Sequence, residues 1–183
     1  MSSGGHVDPS HKKIALQIAI LAVVLAFSET LGKGAQTAAL SYNIEASNLW
    51  SFFQAKTIRQ TTMRTAAEGL QAEFGDKATD AVKKQIDTWK KTAERYQSEP
   101  ETNEGRKELA ARAKKAEEKR DRSLAAYHHY ETASAAVQIA IVLASAEVIT
   151  SVIALGWASA GLGVAAVAFC VIGYFWPMSV HLF

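Results

Sequence analysis

The sequence predicts an all-α membrane protein: three transmembrane helices, with a long coiled-coil-like helical hairpin outside the membrane between the first and second. Two observations carry that expectation. Three runs, residues 14–31, 133–155 and 162–176, are almost wholly apolar, and about 20 such residues suffice to cross a bilayer's hydrocarbon core as a helix. Charge is segregated as well. Residues 33–132 hold 18 of the 20 Lys and Arg and 15 of the 18 Asp and Glu, so a mean hydropathy near zero averages two unlike materials. That is the pattern of membrane spans around a water-exposed insert.

A net charge of +2, with bases and acids interleaved, gives no basic face for nucleic acid. Cys170 is the only cysteine, so no intrachain disulfide exists. The three prolines (Pro9, Pro100, Pro177) fall at or between the elements proposed below, as a helical chain requires.

Residues 1–13 read as a mobile polar tail. The first span, residues 14–31, is longer than a secretory signal core, and no small-residue cleavage site follows it, so it is retained. Ala15, Ala19, Ala22 and Ala26 recur at four, three and four, and Glu29 continues the stripe. Small residues let helix backbones approach closely in lipid, which assigns that stripe, with Glu29, to a packing face. Gly32-Lys33-Gly34 marks the exit and a bend.

The extramembrane domain, residues 32–132, begins with a narrow seam: Ala35, Ala39, Tyr42, Ala46, Leu49 and Phe53, with Trp50 beside it. Its spacing is helical. The seam turns polar after Lys56 and resumes at Met63, Ala67, Leu70 and Phe74. Gly75-Asp76 stops this helix. The next presents Ala78, Val82, Ile86, Trp89, Ala93 and Tyr96 on one face. Residues 98–103 form a turn. A charged helix follows, with a thin seam of Leu109, Ala113, Ala116, Leu124 and Tyr127, suited to a close antiparallel hairpin.

That helix enters the second span, residues 133–155, where Ala136, Ala140, Ala144, Glu147 and Ser151 share a face. Residues 156–161 read as a tight turn and 162–176 as the third span, with Gly161 and Ala165 on its close-approach face. Residues 177–183 form a C-terminal tail. Aromatic rings favour the headgroup region, so Tyr127, Tyr130, Trp157, Tyr174 and Trp176 are expected as interfacial anchors. Lys114, Lys115, Lys119, Arg120 and Arg122 precede the second span, while the second hairpin has no Lys or Arg. The positive-inside rule then puts the insert in the cytoplasm, although Lys12 and Lys13 pull the other way.

The segment 26–33 (AFSETLGK) and the segment 41–60 (SYNIEASNLWSFFQAKTIRQ) resemble a bacterial membrane family, the domain of unknown function numbered 4337. The resemblance covers most of the chain and implies a bacterial inner-membrane protein. It implies no activity, cofactor or catalytic residue.

Glu147 is the sharpest candidate for chemistry. A carboxylate deep in a span is costly and normally faces protein or water, so it is either an ion or proton site or a protonated acid joining helices. Glu29 lies one turn from Lys33, and a local ion pair accounts for it. Ser151 continues the Glu147 face. His128 and His129 point about 100° apart on a helix, with no His or Cys at i+4, so the reading is interfacial and no metal is expected. Tyr42, Leu49, Trp50 and Phe53 are either an oligomer or partner contact or ordinary packing of the insert. No nucleophile turn or phosphate loop occurs, so no catalytic residue, cofactor or small-molecule substrate is expected. The function expected is that of a non-enzymatic, self-associating membrane scaffold, with the bilayer and further copies of the chain as partners. The alternative is an oligomeric channel or proton-coupled transporter lined by Glu147.

Overall fold

A computed structural model describes residues 9–180, and no strand occurs among them. Four helices follow in order: α1 (Pro9–Phe74), α2 (Asp80–Gln97), α3 (Arg106–Thr150) and α4 (Ile153–Phe175), with a short 3-10 turn, Gly75–Lys77, after α1. Three of them, α1, α3 and α4, are long and apolar enough to cross a membrane.

Three boundaries differ from the sequence reading. Helix α1 begins at Pro9, whose missing N–H and fixed φ suit a first helical position, so residues 9–13 are helical; the expected tail otherwise lies outside the described residues. Helix α1 continues without a break through Gly32–Gly34. Each glycine in a helix costs only about 1 kcal/mol, and Gly32 has a packing reason: a methyl there would lie 3.5 Å from Tyr130 Cβ. The turn between α3 and α4 falls at Ser151–Val152, and residues 156–161 are helical. Ser151 takes the left-handed conformation (φ 58°) that closes it. Of the two glycines expected to turn the chain, Gly156 is instead buried where helices touch, and Gly161 is an exposed helical residue. The C-terminal tail is described to Val180 and starts with a turn.

The chain divides into two compact units, one of Ser41–Arg120 and one of the remainder. In the Ser41–Arg120 unit, α1 runs antiparallel first to α2 and then to α3. Lys90 Nζ donates to Gln71 Oε1 at 2.9 Å, Gln60 Nε2 to Ala93 O at 3.0 Å, and Trp50 Nε1 to Glu117 Oε1 at 2.9 Å. The α1 seam is Tyr42, Ala46, Leu49, Phe53, Lys56, Gln60, Met63, Ala67 and Leu70, every one buried or half-buried. Strict alternation of four and three is the coiled-coil repeat. Ala46 and Leu49 meet Leu109, Ala113 and Ala116 of α3, whereas Leu124 is 42% exposed and leaves the α3 seam, and Phe74, expected to end the α1 seam, is 37% exposed.

Polar residues interrupt this seam where α2 gives way to α3. Lys56 is buried, 3.5 Å from Glu99 and over the Phe52 and Tyr96 rings. Gln60 accepts from Arg106 Nη1 and donates to Gln97 Oε1 at 3.1 Å. Arg106 Nε also donates to Thr57 Oγ1 at 2.8 Å. Buried polar groups need partners, and this set gives each one.

In the other unit, the start of α1, the end of α3 and α4 enclose Leu21, Ala133, Val137, Ala140 and Ala166. Helix α4 offers small residues to that contact: Gly156, Ser159, Gly163, Ala166 and Gly173 are buried. Gly161 is exposed, and a methyl placed there would have nothing within 4 Å, so the close-approach face is not the expected Gly161–Ala165 one. On α1 the contact uses Ile14, Leu21 and Ser28, and Ala15, Ala19, Ala22, Ala26 and Glu29 are exposed. The alanine stripe is thus not the intrachain face. Bulky Ile and Leu on α1 fill the hollows that small residues leave on α4.

Candidate functional site

In the unit containing α4, one end of the bundle carries a chain of polar contacts through all three helices. Gln17 of α1 reaches across to α4, where its Nε2 donates to Ser159 Oγ at 2.9 Å and to Gly156 O at 3.3 Å. Ser159, fully buried, donates onward to Ala140 O of α3 at 2.7 Å. Glu147 lies three residues before the end of α3 and is half-buried. Its carboxylate rests on Gly156, where any side chain would collide with it. Lys13, Gln17, Glu147 and Trp157 line a cavity of about 260 Å³.

This geometry relocates Glu147. It stands near the end of α3, beside the turn, and lines a cavity that Lys13 also lines. Chemically the arrangement can hold the helix ends together through the Gln17 and Ser159 hydrogen bonds and the seat of the carboxylate on Gly156. Among the described residues, no three His, Cys, Asp or Glu lie close enough to hold a metal.

The same unit has a second polar feature, an open groove of about 430 Å³ lined by Glu29, Lys33, Tyr127, Glu131 and Gln138, among others. Tyr127 donates to Glu131 Oε1 at 3.2 Å. The Glu131 carboxylate, helped by desolvation, holds the Tyr127 phenol above its ordinary pKa. His128 Nδ1 lies 3.7 Å from Glu131 Oε2.

Several expected roles move. Tyr130, expected at the lipid interface, is 4% exposed, its ring against Gly173. His129 is likewise buried, with Nε2 3.2 Å from Pro177 O and its ring stacked on Phe169. Trp157, Tyr174 and Trp176 stay 76%, 64% and 61% exposed at the two ends of α4. Ser151 is in the turn and exposed, so it does not share the Glu147 contact face. The segment Tyr42, Leu49, Trp50 and Phe53, weighed as an oligomer or partner contact, packs inside its own unit. Trp50 binds Glu117, Arg106 sits over Phe53 at 5.0 Å, and Lys119 sits over Tyr42 at 5.2 Å.

Gln17, Ser159 and Lys13 were missed from the sequence. The available signal was that Gln17 is the one amide in the first apolar run. A lone amide there needs a partner on a neighbouring helix.

A family model, that of the domain of unknown function DUF4337, matches residues 10–176. No curated protein and no solved structure matches the chain.

Proposed function

Starting from the fact that the chain belongs to the DUF4337 family, a domain of unknown function, we propose that it is a non-enzymatic scaffold of the bacterial inner membrane that self-associates. The observation that carries this reading is how little of the apolar surface the chain covers itself. Only 17%, 22% and 22% of the residues in the apolar windows of α1, α3 and α4 are buried. Lipid and neighbouring helices are what such surfaces accept. Trp157 and the pair Tyr174 and Trp176 lie about 26–28 Å apart along α4 at 1.5 Å per residue, close to a bilayer core. The basic residues from Lys114 to Arg122 support a cytoplasmic insert.

Crosslinking and native mass spectrometry of the full chain in mild detergent test the reading. Defined oligomers are expected, and a strict monomer overturns it.

A second reading, an oligomeric channel or proton-coupled transporter, draws on Glu147 and the Gln17–Ser159 chain. Against it, the core beyond Ser159 is apolar, with Leu21, Val137 and Ala166 closing the contact. Ion or proton flux into liposomes that disappears in Glu147→Gln would favour transport. Unchanged flux, or none, removes it.

A further inference from the structure

Helix α1 bears a second seam, and we infer that in the Ser41–Arg120 unit this seam pairs in parallel and in register with the same seam of a second copy of the chain. The inference rests on the self-association reading and names its surface and partner. Ile44, Asn48, Ser51, Ala55, Ile58 and Thr62 are spaced four, three, four, three and four, and all are exposed. Ile44 and Ile58 are 53% and 68% exposed. Each lies two residues, about 200° of helical turn, from a covered seam position, hence on the opposite face. No Lys, Arg, Asp or Glu occupies these positions, although the unit is otherwise densely charged.

Three features identify the occupant. Ile58, Thr61, Thr62 and Thr65 rim a depression, and residues at i, i+3, i+4 and i+7 are the four that form the hole receiving a coiled-coil knob. The partner is therefore a helix. With Ile44 and Ile58 at d positions, Asn48 takes an a position, where a lone Asn pairs with its equivalent and fixes register. That requirement is met by the same residue of another copy. In a parallel pair, residues five apart face each other across the rim: Leu40 meets Glu45, Ser47 meets Phe52, Gln54 meets Arg59 and Thr61 meets Ala66. No like charges meet. Two copies held in one bilayer also run in the same direction and meet at high effective concentration.

The register continues in the sequence toward the N-terminus. Leu16, Ile20, Val23 and Phe27 repeat the spacing and are exposed.

The test uses the full chain in membranes, in a Cys170→Ala background. Single substitutions Asn48→Cys and Ala55→Cys are compared with Lys84→Cys on the exposed side of α2. Like residues facing across an a layer come within disulfide reach, so mild oxidation is expected to give at least about tenfold more dimer at the two seam positions. Ile44→Asp with Ile58→Asp, both on exposed positions, is expected to lower the dimer fraction at least about tenfold through buried like charges, with helicity unchanged. Equal crosslinking at all three sites overturns the inference. So do oligomers that persist without seam crosslinks, as a different face, which leaves self-association standing. So does a seam shielded from a maleimide yet never crosslinked, as lipid or another protein covering it. A strict monomer overturns this inference and the self-association reading together.

Discussion

Gly173 sits where a methyl group would lie 2.9 Å from His129 Cβ, 3.2 Å from Tyr130 Cε1 and 3.4 Å from Ala126 O. Two of these neighbours are backbone or Cβ atoms and cannot swing aside, so Gly173→Ala forces α3 and α4 apart. We expect a loss of about 1–3 kcal/mol, the usual cost of overpacking. Gly161 has nothing within 4 Å, and Gly161→Ala should gain up to about 1 kcal/mol in helix propensity. Thermal unfolding of the two variants in detergent separates them: the first melts lower, the second level or higher. Gly156 is approached by the Glu147 carboxylate alone, the end of a flexible side chain that can turn away, so a methyl there costs less than at Gly173. The residue type most often taken to mark a turn marks contact in α4, while an ordinary serine, Ser151, adopts the left-handed backbone.

At the scale of elements, the junction between α2 and α3 is held by one carboxylate. Ser98 Oγ donates to Glu108 Oε1 at 2.6 Å, and the Glu99 N–H donates to Oε2 at 3.1 Å. Gly105 leaves room for that carboxylate and for the Ser98–Glu99 backbone. The Ser98 hydrogen bond, opposed by desolvation and helped by the Glu99 N–H, holds the Glu108 carboxyl below its ordinary pKa. A depressed folded pKa stabilises above the unfolded value and is lost as pH falls through the folded one. Protection factors for hydrogen exchange at residues 98–108, with the intrinsic pH dependence of the rate divided out, should therefore stay high at neutral pH and fall below the ordinary glutamate range. In Glu108→Gln this acid-side change should vanish, with faster exchange at neutral pH; an unaltered pH profile in the variant would contradict the assignment.

Elements also show how far the sequence could be read. The α2 face, the seam from Ala35 to Leu70 and the stop at Gly75 stand where the spacing put them, because charge outlines an apolar stripe in an aqueous unit. Inside the apolar runs that contrast is gone. Every face of residues 14–31 looks equally fit for burial, and the preference for small residues selected the alanines. The seam from Tyr42 onward, extended backward at the same four-and-three spacing, reaches Leu21 and Ile14 instead, the residues α1 buries. The hydrogen bonds from Gln17 to Ser159 and Gly156 join positions more than 120 residues apart, beyond any local pattern.

At the scale of the molecule, the membrane reading makes a topological commitment. If α3 crosses a bilayer, the α2 surface and the α3–α4 turn lie on opposite sides. In a Cys170→Ala background, Lys84→Cys should react with an impermeant maleimide only from the cytoplasmic side, and Ser151→Cys only from the other. Both positions are exposed, so accessibility reports side alone. Labelling of both from one side would remove the span.

The covered seam of α1 has one more consequence. From Tyr42 to Leu70 it repeats every seven residues for four heptads, and a straight helix drifts about 20° per heptad, or about 80° over that length. Tyr42 faces Lys119 of α3, whereas Gln71, beside Leu70, binds Lys90 of α2, so two helices follow the seam in turn. Each therefore meets only about half of that drift. The contacts among Arg106, Gln60 and Gln97 tie all three helices together where one partner gives way to the other, and they are where the two halves of the seam are kept in step.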